Sequence, residues 1–516
     1  MYSSMISRHL ATIFLVPIAF ILQSCNAVST LRVNTTVGTV YGLINGTTPD
    51  VAQFLGVPFA EPPIQERRWL PAIPKSPVGD IDATEFGPSC PQYESAYQSV
   101  YSVDGREFLI SGPTSEDCLT LNIWAPVTSP GNLTEKLPVL VWIYGGGYQT
   151  GGGEIGYQIP SQWIQRSQKH IFVGINYRLN LFGFPNAAGL KQSEQNLAFL
   201  DQRLGLEWVR SNIANFGGNV SRITLMGQSA GAWSTDIYNF AYPEDPIIAG
   251  IILDSGSAIG SSQTYDNSHS NFTFIASQFG CGNLSAEAEL TCMRNVSSVD
   301  LVNFLKSYGD SGSSPSIGFN PVVENTTRFD NYTARALAKN FTDVTAQPAI
   351  IGTNDNEGSS LTSWILNGTT VNTTNADAVT AQYICRAVQT TQNRYAVNTT
   401  TFRYYYRGNF SNISPRPWEG AYHSSELPLI FGTHNIAREK SSPFEVAVSH
   451  RMQDLYLAFI RDPLNGLPAE GWQAYRPGGS TLEIAKDGVI TQNVPNDEFE
   501  SICIGEGNPV DGAVPP

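Results

Sequence analysis

Short, almost wholly apolar runs recur along the chain at 139–144, 171–177, 223–226, 250–254, 349–352 and 402–406. They are rich in Ile, Val and aromatic residues and lack the alternation of a half-exposed strand, so each reads as a strand buried on both faces. Between the second and third runs, Leu197, Leu200, Leu204, Trp208 and Val209 recur at close to the helical period. That spacing predicts an amphipathic helix able to cover one face of a sheet. Parallel neighbours need such crossovers, so the pattern predicts an α/β fold with a large, mainly parallel central sheet flanked by helices. An antiparallel portion is expected from residues 31–44. No internal repeat is visible.

A different pattern occupies the N-terminus. Arg8 and His9 precede a mostly apolar stretch from Leu10 to Leu22, and Cys25, Asn26 and Ala27 are suited to a signal-peptidase site. The stretch falls short of the roughly 20 residues a membrane-spanning helix requires. Residues 1–27 are therefore read as a signal peptide, the protein as secreted and extracellular, and 28–516 as a single domain without a stable membrane span.

The 516 residues carry 45 acidic and 30 basic side chains, a net charge of -15. No basic cluster offsets it, which disfavours nucleic acid as a partner. Once the leader is removed, six cysteines remain: Cys90, Cys118, Cys281, Cys292, Cys385 and Cys503. An even number suits an oxidising compartment, and spacing alone leaves 15 pairings open. The local pairs Cys90 with Cys118 and Cys281 with Cys292 close short loops, leaving Cys385 with Cys503. No metal-ligand ladder appears, and no metal or organic cofactor is called for. Sequons point to the same compartment, with glycosylation candidates at Asn34, Asn45, Asn132, Asn271, Asn283, Asn295, Asn325, Asn331, Asn340, Asn367, Asn372, Asn398, Asn409 and Asn412. Asn219 is set aside because it falls in a tight turn just before a buried strand.

The sharpest chemistry follows the third apolar run. Gly227-Gln228-Ser229-Ala230-Gly231 lies between that run and a plausible helix, the arrangement of a nucleophile elbow. A strand that reverses sharply into a helix holds its corner residue in strained backbone, and the flanking glycines permit close approach of neighbouring chains. Ser229 is the candidate nucleophile. It needs a histidine to take its proton and a carboxylate to hold that imidazole. In this architecture both lie downstream, acid before histidine, leaving Glu357 or Asp355 in the loop after the fifth run and His423, His434 or His450 beyond them. The first run ends in Gly145-Gly146-Gly147. The bare N–H groups of Gly146 and Gly147, with that of Ala230, are candidates for an oxyanion hole.

These motifs carry a resemblance. The stretches 54–63 (FLGVPFAEPP), 115–124 (SEDCLTLNIW), the Gly145 loop, the Ser229 elbow and Ala421-Tyr422-His423 together resemble the type B carboxylesterase family, which includes cholinesterases and fungal lipases. The likeness runs from about Val33 to the last cysteine. It implies an α/β-hydrolase fold and selects Ser229, Glu357 and His423 as a catalytic triad in a single hydrogen-bonded row. It also implies disulfides Cys90–Cys118 and Cys281–Cys292, structural ion pairs Arg68–Glu116 and Arg178–Asp201, and a supporting role for Ser255 beside Glu357.

The implied activity is hydrolysis of small-molecule or lipid esters through an acyl-enzyme. The alternative is an inert recognition protein of the same fold. Cholinesterases carry Glu before the nucleophile, and Gln228 here removes a carboxylate that would offer a bound cation about 2 to 3 kcal/mol at an effective dielectric near 20. The segment 90–118 also lacks the Trp they use on quaternary ammonium. Choline esters are thus disfavoured. That segment holds Tyr93, Tyr97, Tyr101, Phe108, Leu109 and Ile110 instead, and reads either as a lid over the site or as a packed loop.

Overall fold

In the computed structural model, the described residues are 31–131, 134, 136–260, 264–338, 347–364 and 371–503. The expected signal peptide and the sequons at Asn132, Asn340 and Asn367 lie outside them.

The strands in chain order are β1 (Arg32–Thr35), β2 (Gly38–Tyr41), β3 (Leu43–Ile44), β4 (Val51–Pro58), β5 (Asp80–Asp82), β6 (Thr120–Pro126) and β7 (Leu137–Ile143). They continue as β8 (Ile171–Ile175), β9 (Gly218–Gln228), β10 (Gly250–Asp254), β11 (Ala349–Asn354), β12 (Thr401–Tyr406), β13 (Ser480–Lys486) and β14 (Val489–Pro495). Eleven of them form one sheet in the order β14-β13-β12-β11-β10-β9-β7-β8-β6-β4-β3. From β13 across to β8 every neighbouring pair is parallel, whereas β14 and the β6-β4-β3 side pair antiparallel. This is the large mainly parallel sheet of the α/β-hydrolase fold.

All six apolar runs are strands β7 to β12. Their adjacency follows from full burial, since each must be covered on both faces by helices and flanked by other strands. The antiparallel portion differs from expectation. Residues 32–41 form a separate hairpin, Arg32 opposite Tyr41, that joins β5 in a three-stranded sheet, and only β3 reaches the main one.

Helix α1 (Leu197–Asn212) covers β8 at close range, because a Cβ on Gly205 would stand 2.8 Å from the Ile175 side chain. Helix α2 (Ala230–Ala241) leaves the end of β9 and is buried along nearly its whole length. Helix α3 (Thr373–Ala396) carries Cys385, which is bonded to Cys503. Helix α4 (Pro443–Arg461) starts in a capping box between Ser442 and Glu445 and sets Phe459 against Gly250 of β10.

Cys90–Cys118 and Cys281–Cys292 are also bonded. The two ion pairs are buried forks, Arg68 on Glu116 at 2.6 Å and Arg178 on Asp201 at 2.7 Å. Arg68 also donates to the carbonyls of Met293 and Val296, tying the Glu116 segment to the Cys281–Cys292 region.

One glycosylation candidate must be corrected. Asn412 is 2% exposed, and its Nδ2, the atom a glycan would occupy, donates to the His434 carbonyl, Ser441 Oγ and Glu445 Oε1. A sequon specifies the acceptor but not its burial. Asn271 is half-buried and the remaining described candidates are exposed.

Candidate active site

The site forms where parallel strands end. Ser229 follows β9 directly and has φ 56° and ψ -124°, a conformation an L-residue adopts only where its surroundings enforce it. The enforcement is visible on both sides. A Cβ on Gly227 would lie 2.2 Å from the Gly231 carbonyl, and one on Gly231 would lie 2.0 Å from the Ile143 carbonyl of β7. Only glycine fits either position, and the Ser229 N–H is held by the Asp254 carbonyl of β10 at 2.9 Å.

β7 delivers Gly145, Gly146 and Gly147 beside this corner. Gly146 has φ 103° and Gly147 φ 62°, and the Gly146 carbonyl turns away to accept from the N–H groups of Gln149 and Thr150. Ala230 is the first residue of α2, where a helical N–H has no partner within the helix.

β11 ends at Asn354 and carries Glu357 three residues on. The Asn356 N–H donates to the Ala421 carbonyl at 3.0 Å, which brings the Glu357 loop against the His423 loop. Glu357 is fully buried and every contact on its carboxylate is made. Oε2 lies 2.5 Å from His423 Nδ1, while Oε1 accepts from Ser255 Oγ at 2.6 Å and from the Asn354 N–H at 2.8 Å. Behind it lie two more buried carboxyls. Burial pushes Asp254 up to about 7, with Tyr456 and Tyr404 donating to it, and burial beside Asp254 and Glu357 raises Glu426 well above the usual range.

The expected row of three is complete on one side and altered on the other. His423 Nε2 lies 3.1 Å from the Gln228 amide Nε2, and the Ser229 side chain interacts with the hydroxyl of Tyr383 on α3. The Tyr383 ring lies beside the imidazole, tilted by 56°, at 5.0 Å between centroids. The Gln228 amide thus occupies the His423 Nε2 that a triad would turn to Ser229. Gln228 was visible in the sequence only as the missing carboxylate. Nothing in the spacing of α3 marked Tyr383.

The other candidates are occupied elsewhere. Asp355 accepts from Tyr405 and pairs with Arg407, and His434 Nδ1 meets Ser441 Oγ at 2.6 Å, where burial lowers its pKa to about 4. His450 is exposed, beside Arg166 and Asp454.

Ser229, His423, Gly145, Gly146, Gly147 and Gln228 line one cavity of about 360 Å³, whose remaining walls include Ile155, Trp233, Leu361 and Tyr383. Segment 90–118 closes one side as a packed loop. Tyr101 donates to the His423 carbonyl at 2.7 Å, Phe108 stands 4.7 Å from the Tyr157 ring, and Asp104 pairs with Arg416. Glu154 accepts from the Ser111 and Gly112 N–H groups, and Asp310 accepts from Ser95 and Ala96.

The chain matches the carboxylesterase family over residues 29–383 and 370–500. It is 44% identical to a chlorogenic acid esterase of Aspergillus niger over 94% of this chain and 98% of that protein. It is 38% identical to secreted lipase 5 of Gibberella zeae over 97% and 99% of the two, and 29% identical to an acetylcholinesterase of Bungarus fasciatus over 88% and 83%.

Proposed function

The chain belongs to the carboxylesterase family and is a carboxylic-ester hydrolase, and on that premise we propose that Ser229, His423 and Glu357 are its catalytic triad. The observation that carries this reading is the convergence of a strained serine, a histidine with a carboxylate 2.5 Å from its far nitrogen, and a glycine loop on one cavity. When an ester enters, His423 Nε2 leaves Gln228 and meets the Ser229 Oγ. The imidazole takes the proton as Oγ adds to the carbonyl carbon. The N–H groups of Gly146, Gly147 and Ala230 receive the oxyanion. His423 returns the proton to the departing alcohol, and water repeats the sequence on the acyl-enzyme. Glu357 remains ionised and holds the imidazolium, with Ser255 as a positioning residue.

The packed segment 90–118 favours dissolved esters, of the kind the Aspergillus relative's name specifies, over emulsified lipids. A lipase reading draws on the Gibberella relative's name and on the exposed apolar residues Tyr97 and Leu361 at the edge of the site. An inert recognition role is not favoured. The expected leader over residues 1–27, the three disulfides and the second relative's name support secretion of a single catalytic domain spanning 28–516. Among the described residues no helix is long and apolar enough to cross a membrane.

The test is Ser229→Ala. The variant keeps its circular dichroism and melting temperature, loses turnover of p-nitrophenyl acetate and no longer accepts a covalent organophosphate label. Retained turnover would refute the assignment.

A further inference from the structure

His423 stands in the loop between β12 and a short helix at Leu427–Phe431. The next residue, Ser424, has φ 80°, a left-handed conformation that an L-residue keeps only where other contacts hold it. Two such contacts bracket the histidine. The Tyr422 carbonyl accepts from Asn354 Nδ2 at 2.8 Å, and Asn354 is the last residue of β11. The His423 carbonyl accepts from the Tyr101 hydroxyl at 2.7 Å. One grip therefore comes from the central sheet and the other from the segment closed by Cys90–Cys118.

Tyr101 lies in a short helix, Val100–Val103, opened by a capping box between Ser99 and Ser102. Its ring meets Phe108 and Tyr422 edge-on at 5.7 and 6.3 Å, so packing fixes the direction of the hydroxyl. A phenol has one proton to give. It goes to the His423 carbonyl, so at the 3.1 Å contact with Ser360 Oγ the serine is the donor. Just past the helix, the Asp104 carboxylate pairs with Arg416 at 2.5 Å and the Asp104 carbonyl accepts from Arg438. Arg416 and Arg438 flank His423 in the chain, so the segment is fastened to the same stretch that carries the imidazole.

We propose that Tyr101 is a positioning residue for His423, and that the segment 90–118 serves catalysis by staying in place. The inference rests on the triad reading above. Without the Tyr101 hydroxyl, the strained peptide between His423 and Ser424 relaxes and carries the imidazole away from Ser229 Oγ. A segment that swung aside to admit substrate would break the same bond, so opening disarms this enzyme.

Tyr101→Phe keeps the ring contacts and removes only the donor. Turnover of p-nitrophenyl acetate should lose about ten- to 100-fold in kcat with KM within about two-fold, and organophosphate labelling of Ser229 should slow by the same factor, because both reactions need His423 to take the serine proton. Ser360→Ala removes the hydroxyl's other partner and should leave kcat within about two-fold of wild type. Asp104→Asn loosens the segment from Arg416, and should cost about three-fold in kcat on its own and nothing further in the Tyr101→Phe background. An unchanged kcat in Tyr101→Phe, a loss confined to KM, or an equal loss in Ser360→Ala overturns the positioning role. No loss from Asp104→Asn, or the same loss in both backgrounds, overturns the part given to the segment. A wild type that the organophosphate does not label refutes the triad reading itself, which the other outcomes leave standing.

Discussion

Gly146 and Gly147 sit side by side in the loop proposed to hold the oxyanion, yet the structure separates the consequences of giving each a methyl group. A Cβ on Gly146 would lie 2.3 Å from the Thr150 carbonyl oxygen and 2.8 Å from Thr150 Oγ1, at a φ of 103°. That oxygen belongs to backbone and cannot rotate aside, so the loop must move by about 1 Å to restore an ordinary contact. A displaced N–H no longer meets the oxyanion, and losing one such donor costs about 3 to 4 kcal/mol in the transition state, or 10² to 10³ in kcat. At Gly147 φ is 62° and a Cβ meets nothing within 4 Å. There the cost is left-handed strain of about 1 to 2 kcal/mol, borne by stability and not by the reacting atoms. The assay is kcat and KM on p-nitrophenyl acetate with thermal melts of both alanine variants. Gly146→Ala should lose at least about 100-fold in kcat and Gly147→Ala less than about ten-fold. Equal losses, or a reversed order, would refute the loop's role.

Three further outcomes follow from the same geometry. Ser255→Ala removes a hydroxyl 2.6 Å from the buried Glu357 carboxylate, and should lower kcat about 10- to 100-fold with KM unchanged, since a hydrogen bond to a charged group is worth about 1.5 to 3 kcal/mol. Because Tyr101 clamps the packed segment to the His423 carbonyl, wild type should show no jump in rate as tributyrin passes from solution to emulsion; a sharp rise at the oil surface would contradict the packed loop. Asp254 is held at about 7 against an ordinary 3.8, so the folded state binds the extra proton between those values. Its contribution to stability is present below pH 3.8 and lost as pH rises through 7. The urea midpoint of Asp254→Asn should decline less between pH 4 and 8 than that of wild type, and parallel declines would sink the argument.

What could be read along the chain depended on how burial shows itself there. β7 to β12 are buried on both faces and appear as unbroken apolar runs. β6 is equally buried but contains Asn122, whose Oδ1 accepts from the Gly56 N–H and whose Nδ2 donates to the Gly153 carbonyl. A polar residue satisfied by distant backbone looks like a surface residue until the partners are in place. β14 is an edge strand, largely exposed, and has almost no apolar signature. Asn412 failed as a sequon for the related reason that its amide is consumed by residues 22 to 33 positions away.

The elbow and the glycine loop were legible because their chemistry is local: a few consecutive residues set the backbone angles, and the steric demand for glycine is written in the sequence itself. The fold class was legible for a like reason, since strand and helix periods need only a short window. Choosing Glu357 over Asp355 and His423 over His434 from the residues alone was not possible, because each choice depends on which loops the sheet brings together. The sequence also held no sign that Gln228 would face the imidazole, that Tyr383 would face the serine, or that Tyr101 would reach the His423 carbonyl. Those are contacts between segments far apart in the chain, and their energies exist only once the sheet has fixed the strand ends relative to one another.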